Sequence, residues 1–153
     1  MVYNSSIIEK MMKAIVTGAD GFIGSNLVEF LLKQNIEVKA FCYYNSFGNY
    51  GWLDDCDMET RKSIEFVLGD IRDFSSVKSA IEGCDVVYHL AALISIPYSY
   101  YATRSYIDTN IIGTFNVMEA AKELERVSVV HTSTSETYGS AKFVPITESH
   151  PLV

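Results

Sequence analysis

Cysteine is scarce: Cys42, Cys56 and Cys84 are the only three among 153 residues, and no two stand in CxxC spacing. An odd count at such spacing excludes a disulfide framework and a cysteine-based zinc site, so reduced, mostly buried thiols and no metal are expected. Basic runs are missing too. The 12 Lys and Arg occur singly or in pairs against 19 Asp and Glu, for a net charge of −7. This argues against a nucleic-acid or anionic-membrane partner. No apolar run approaches the length of a membrane span, and the N-terminus lacks the basic segment and apolar run of a secretory signal. The expectation is a cytoplasmic protein.

With 48% hydrophobic and 20% charged residues, the chain can form one domain with a real core and is too short for a second. Residues 1–12 read as a polar, aperiodic extension, with Met12 an alternative start. From Lys13 onward apolar runs alternate with helical periodicity. Strands are expected at 13–17, 37–43, 64–68, 85–90 and 128–132. Between them lie helices after Gly21, over 74–82 (closed by Gly83) and over 106–125, where Ile107, Ile111, Phe115, Met118 and Ala121 keep the period. Residues 44–61 read as an aromatic, glycine-rich connection without an assigned role, and the stretch around Pro97 reads as a loop. Near-continuously apolar strands alternating with helices predict an α/β, Rossmann-type doubly wound parallel sheet of five strands in the order 3-2-1-4-5.

The most informative stretch is Lys13-Ala14-Ile15-Val16-Thr17 followed by Gly18-Ala19-Asp20-Gly21-Phe22-Ile23-Gly24. Strand, glycine turn and helix follow one another directly. Gly18 suits the tight turn, Gly21 the approach of a pyrophosphate, and Gly24 close packing of the helix. Unpaired N–H groups at the helix start, including those of Phe22 and Ile23, would receive the ligand's charge. The domain is therefore expected to bind a dinucleotide.

Five segments in order, TGADGFIG, GDIRD (69–73), HLAAL (89–93), TNIIGTFNVMEAA (109–121) and STSETYG (133–139), resemble the extended short-chain dehydrogenase/reductases of the NAD-dependent epimerase/dehydratase family. Within it the chain is most similar to sugar-nucleotide 4,6-dehydratases of the GDP-mannose and legionaminic-acid-pathway types. The resemblance implies that Asp70 meets the adenine edge with Ile71 beside the base. It also implies that Leu90, Ala91, Ala92 and Thr132 border the cofactor. Thr134 would hydrogen-bond the sugar C4 oxygen, with Ser135 beside it in a Thr-Ser-Glu variant. Glu136 would remove the C5 proton after C4 oxidation, as the C6 hydroxyl leaves and hydride returns to C6. The readings without chemistry are a strand-end cap for Asp70, close packing for Ala91 and Ala92, and a solvated turn for residues 134–136. His89 reads as a satisfied strand histidine.

The sequence departs from the family in two places. The acid expected at the end of strand 2 to bind the ribose hydroxyls is replaced by Cys42, Tyr43 and Tyr44, with no arginine there for a 2′-phosphate, so NAD is favoured over NADP only by default. Asp54 and Asp55 stand too far along the connection to help. The helix bearing the family's YxxxK pair is also not reached before Val153; Tyr138 and Lys142 match the spacing, but Gly139 between them is a poor helix residue. The expected chain is thus the NAD(P)-binding N-terminal part of a lyase acting on a nucleoside-diphosphate sugar, inactive alone. It would self-associate or need a companion C-terminal chain, because Ile107, Ile111, Phe115 and Met118 and the edge of strand 5 would lack cover. The competing readings are a 4-epimerase of the same family and a non-catalytic dinucleotide-binding module.

Overall fold

The computed structural model describes residues 11–152; positions 1–10 of the expected extension, and Val153, lie outside them. In β1 (Lys13–Thr17) successive side chains point to opposite faces of the sheet and both faces are apolar. Ala14 and Val16 enter one core layer and Ile15 the other, each at 0% exposure. β1 is the middle strand: β2 (Glu37–Tyr43) pairs with it on one side and β4 (Val86–His89) on the other, both parallel. β3 (Ile64–Gly69) adds to β2 and β5 (Ser128–His131) to β4, giving the order β3-β2-β1-β4-β5. This is the expected order.

Helix α1 (Phe22–Lys33) covers the first layer with Val28 and Leu31, joined there by Leu53 at 0% exposure. Leu53 belongs to a 3₁₀ turn at Gly51–Asp55, followed by α2 (Met58–Lys62). The connection at 44–61 thus contributes to the core. Asp57 starts α2 by accepting the N–H groups of Glu59 and Thr60, an N-cap of the usual kind. The opposite layer is covered by α3 (Phe74–Ile81), which Asp73 caps and Gly83 follows at φ +79°.

Two expectations change after β4. The stretch around Pro97 is a short helix, α4 (Ile96–Ser99), with proline in its first turn, where its missing N–H costs nothing. The expected 106–125 helix begins earlier, as α5 (Thr103–Tyr106), passes through a π-helical stretch at Ile107–Gly113 and continues as α6 (Thr114–Glu123). Its buried face is Gly113, Asn116, Val117, Ala120 and Ala121. Ile107, Ile111, Phe115 and Met118 are exposed by 43%, 62%, 59% and 38%, so most of the apolar period marks the face turned away from the sheet.

Lys39 is a charged residue inside this core, only 8% exposed. It shares its face of β2 with Phe41, and its Nζ donates to the carbonyls of Ala80 (3.0 Å) and Glu82 (2.9 Å) at the end of α3. A cation there answers the negative end of the helix and fills carbonyls that the helix leaves open. Lys39→Met should keep the packing but strip those carbonyls of their donor, lowering stability by about 1–3 kcal/mol. A urea midpoint equal to wild type would show that water serves them as well.

Candidate functional site

Gly18, Gly21 and Gly24 fill three different roles. Gly18 has φ +68°, and a Cβ on it would lie 2.9 Å from both the N and Cα of Ala91. A Cβ on Gly24 would lie 2.1 Å from the carbonyl oxygen of Gly18 and 2.8 Å from the Cα of Ala19. Those two positions are glycine because the protein's own backbone fills the space. Gly21 differs: its φ is −78°, open to any residue, and an added Cβ would meet only the Gly18 oxygen, at 3.3 Å. The fold excludes a side chain here less strongly than at Gly18 and Gly24, and a ligand passing over the backbone would be a further reason for glycine.

Gly21 is also the N-cap of α1 and offers no side-chain cap, and the first turn holds no acid. The first helical bond is from Ser25 N–H to the Gly21 oxygen, 2.9 Å. The N–H groups of Phe22, Ile23 and Gly24 precede it and point out of the helix start, where an anion is favoured. Phe22 and Ile23 are 64% and 65% exposed. The residues present therefore fit a pyrophosphate.

Beside this cradle, the carboxyl end of β4 is held by a polar strut that composition does not reveal. The Thr17 hydroxyl oxygen accepts the N–H groups of Leu90 and Ala91, both at 3.2 Å, and meets His89 Nδ1 at 2.8 Å. With both acceptor sites of the Thr17 oxygen taken by these N–H groups, its proton goes to Nδ1, which fixes the neutral tautomer in which His89 Nε2–H donates to the Thr114 hydroxyl at 3.0 Å. His89 is the satisfied strand histidine expected. Asn110 holds the next residues by donating to the Leu93 carbonyl (2.8 Å) and accepting its N–H (2.9 Å). Ala91 is half-buried against Gly18, whereas Ala92 is exposed.

Asp70 follows β3. Its carboxylate accepts the backbone N–H of Arg72 at 2.9 Å and both of its oxygens lie 2.9 Å from Arg72 Nε. The Arg72 guanidinium, despite some opposing desolvation, holds the Asp70 carboxyl below the usual carboxylate range. Arg72 Nη2 also reaches the Tyr43 hydroxyl at 3.3 Å, so the fold brings a guanidinium to the end of β2 that the sequence places 29 residues away. Ile71 is 5% exposed; Gly113 makes room for its side chain and Asn116 donates to its carbonyl at 2.9 Å. Thr132 N–H donates to the His89 carbonyl at 3.2 Å, extending β5 beside β4.

Beyond β5, Thr134 caps the 3₁₀ turn Ser135–Tyr138 by accepting Glu136 N–H at 3.2 Å. Thr134, Ser135 and Glu136 are exposed and lie past the end of an edge strand two positions from β1. At the usual spacing that is about 10 Å from the cradle strand. Tyr138 and Lys142 do not share a helix: Gly139 breaks the turn at φ +58°, Tyr138 packs edge-on against His150, and Lys142 N–H donates to His150 Nε2 at 3.0 Å. Burial pushes the Cys42 thiol up to about 12, and all three cysteines are free. Among the described residues no cluster suited to a metal ion occurs and no helix is long and apolar enough to cross a membrane.

Five parallel strands in this order, with a glycine cradle after the first and its neighbours gathered at the same edge, define a Rossmann-type dinucleotide-binding domain. A family model described as GDP-mannose 4,6 dehydratase matches residues 15–153, and the chain belongs to that family. It is 33% identical over 146 residues to the low-salt glycan biosynthesis protein of Haloferax volcanii, covering 92% of this chain and 45% of that one. It is 32% identical over 148 residues to a dTDP-glucose 4,6-dehydratase of an Actinoplanes species, covering 92% and 46%. The UDP-glucose 4-epimerase of Bifidobacterium longum, solved with NAD+ and UDP, superposes with a TM-score of 0.79 at 26% identity, covering 93% of this chain and 43% of that one. The chain spans less than half the length of these relatives.

Burial, with a smaller push from His131, lowers His89 from 6.5 to about 4. Between those values the unfolded chain binds more protons than the folded one, so stability falls as pH drops from 6.5 toward 4. The loss between pH 7 and pH 5 should be about 2 kcal/mol. Urea unfolding of wild type and His89→Gln at both pH values tests this, since the variant should lack that component. Equal losses in the two proteins would show that folding leaves the His89 pKa unshifted.

Proposed function

We propose that the chain is the cofactor-binding part of a nucleoside-diphosphate-sugar 4,6-dehydratase. The observation that carries this reading is that Thr134 and Glu136 leave the sheet at the same carboxyl edge as the glycine cradle, in a chain whose family model is a 4,6-dehydratase. The nicotinamide, when bound, would take hydride from C4 of the sugar and return it to C6.

This chain's residues then have three tasks. The N–H groups of Phe22, Ile23 and Gly24 bind the pyrophosphate, with Gly21 leaving its path clear. Thr134 hydrogen-bonds the C4 oxygen, and its hydroxyl stands ready because it already caps the turn that carries Glu136. Glu136 takes the C5 proton, made acidic by the neighbouring ketone, and passes it to the C6 hydroxyl, which departs as water as the C5–C6 double bond forms. An exposed carboxylate in the resting chain is suited to this, as it can accept the proton once the sugar covers it. A 4-epimerase, which inverts C4 through hydride transfer alone, would have no use for a base at C5.

Two substitutions separate the parts of the proposal. Gly21→Val should remain folded by thermal unfolding, the Gly18 oxygen at 3.3 Å giving by a few tenths of an ångström, yet lose NAD binding by titration calorimetry; undiminished binding would overturn the cradle assignment. In the intact protein, Glu136→Gln should leave NAD binding alone and slow dehydration by about 10²–10⁴-fold. Retention of a 4-epimerisation activity by that variant would instead support the epimerase reading.

A further inference from the structure

β2 ends without the acidic side chain that in dinucleotide folds receives the adenosine ribose hydroxyls and thereby favours NAD over NADP. We propose that Asp20, from the glycine loop, supplies that carboxylate and selects NAD. The inference rests on the reading of the glycine loop as a dinucleotide cradle and deepens it.

The backbone puts Asp20 in the right place. Thr17 stands opposite Phe41 in the β1–β2 pairing, so the loop after Thr17 runs out beside the residues after Phe41. Ala19 N–H reaches the Phe41 carbonyl at 3.4 Å, and Trp52 N–H fixes the Asp20 carbonyl at 3.0 Å. The second contact requires glycine at position 51, where φ is +59° and a Cβ would lie 2.3 Å from the Asp20 oxygen. So held, Asp20 turns its carboxylate to the end of β2, within reach of the Tyr43 backbone N–H and of its own. It immediately precedes Gly21, which places an acceptor for ribose hydroxyls two residues before the first donor for the pyrophosphate, the N–H of Phe22.

The local charges point the same way. Asp20 is half-buried and forms no ion pair among the described residues. Burial pushes its carboxyl above the usual range against the two backbone N–H groups within its reach, and the two hydroxyls of a ribose would add further donors. The cation near the end of β2 is Arg72, whose charge Asp70 already answers. Two carboxylates and one guanidinium leave this edge with a net charge of −1, which welcomes a diol and repels a 2′-phosphate of about two negative charges.

Dissociation constants for NAD and for NADP, measured by calorimetry on wild type, Asp20→Asn, Asp20→Ser and Arg72→Ala, test the assignment, with thermal unfolding to confirm that each folds. Wild type should prefer NAD. Both Asp20 variants should lose about ten- to a hundredfold in NAD affinity, with the preference over NADP largely erased, because hydrogen bonds to a charged acceptor are removed. Arg72→Ala should keep the preference for NAD. A preference unchanged in both Asp20 variants, while Gly21→Val still abolishes binding, would overturn the role of Asp20 and leave the cradle standing. A wild-type preference for NADP that disappears in Arg72→Ala would overturn it in favour of the guanidinium. A wild-type chain that binds neither nucleotide would overturn the cradle reading and this one together.

Discussion

Three stretches of backbone meet at Gly18 with no room between them for a methyl group. The residue turns left-handed out of β1, Ala91 of the β4 end lies against one side of it, and Gly24 of α1 against its carbonyl. This close approach seats the start of α1 directly over the end of the central strand. The unpaired N–H groups of the helix then face the edge of the sheet where β4, β3 and β5 also deliver their candidate residues. A side chain at position 24 would lift the helix off the turn, and one at position 18 would push the end of β4 away.

The contact holds because the neighbouring strand end is fixed by polar bonds. Thr17, His89 and Thr114 form a chain of hydroxyl, imidazole and hydroxyl through the middle of the domain, and Asn110 and Asn116 grip the backbone of Leu93 and Ile71. Each of these side chains has its partners, and no buried side-chain nitrogen or oxygen is left without one among the described residues. Satisfied networks of this kind specify one arrangement where an all-apolar contact would allow several. The segment TNIIGTFN is thus largely structural: Asn110 and Asn116 tie, Gly113 makes space for Ile71, and Thr114 completes the strut.

The near-continuously apolar runs at 13–17, 37–43 and 64–68, alternating with helical patterns, made the sheet order readable from sequence, because parallel strands buried on both faces and joined by right-handed crossovers admit few topologies. The glycine cradle was readable locally. What stayed hidden depended on tertiary position. Residues 44–61 look like a linker, yet Leu53 is in the core and Gly51 exists to let Asp20 approach. Arg72 is distant in sequence from Tyr43 and touches it. In the long helix, the Ile107, Ile111, Phe115 and Met118 stripe gave the helical period and is exposed as expected, whereas the face that packs inward, Gly113, Asn116, Val117, Ala120 and Ala121, carries no such apolar pattern. Gly113 stands on that face because a Cβ there would meet the side chain of Ile71. Thr134, Ser135 and Glu136 were legible only as a motif, since an exposed turn carries no burial pattern.

The sheet is not equally anchored along its width. β1 is paired on both sides over nearly its full length, whereas β5 contributes four residues, is mostly solvated and is bonded only to β4 among the described residues. Backbone amides should therefore exchange with solvent on a gradient, slowest at Ile15 and Val16 and fastest at Val129 and Val130. The turn that carries Glu136 hangs from the fast-exchanging side, so the part of the edge assigned to the sugar breathes on a shorter timescale than the part assigned to the nucleotide.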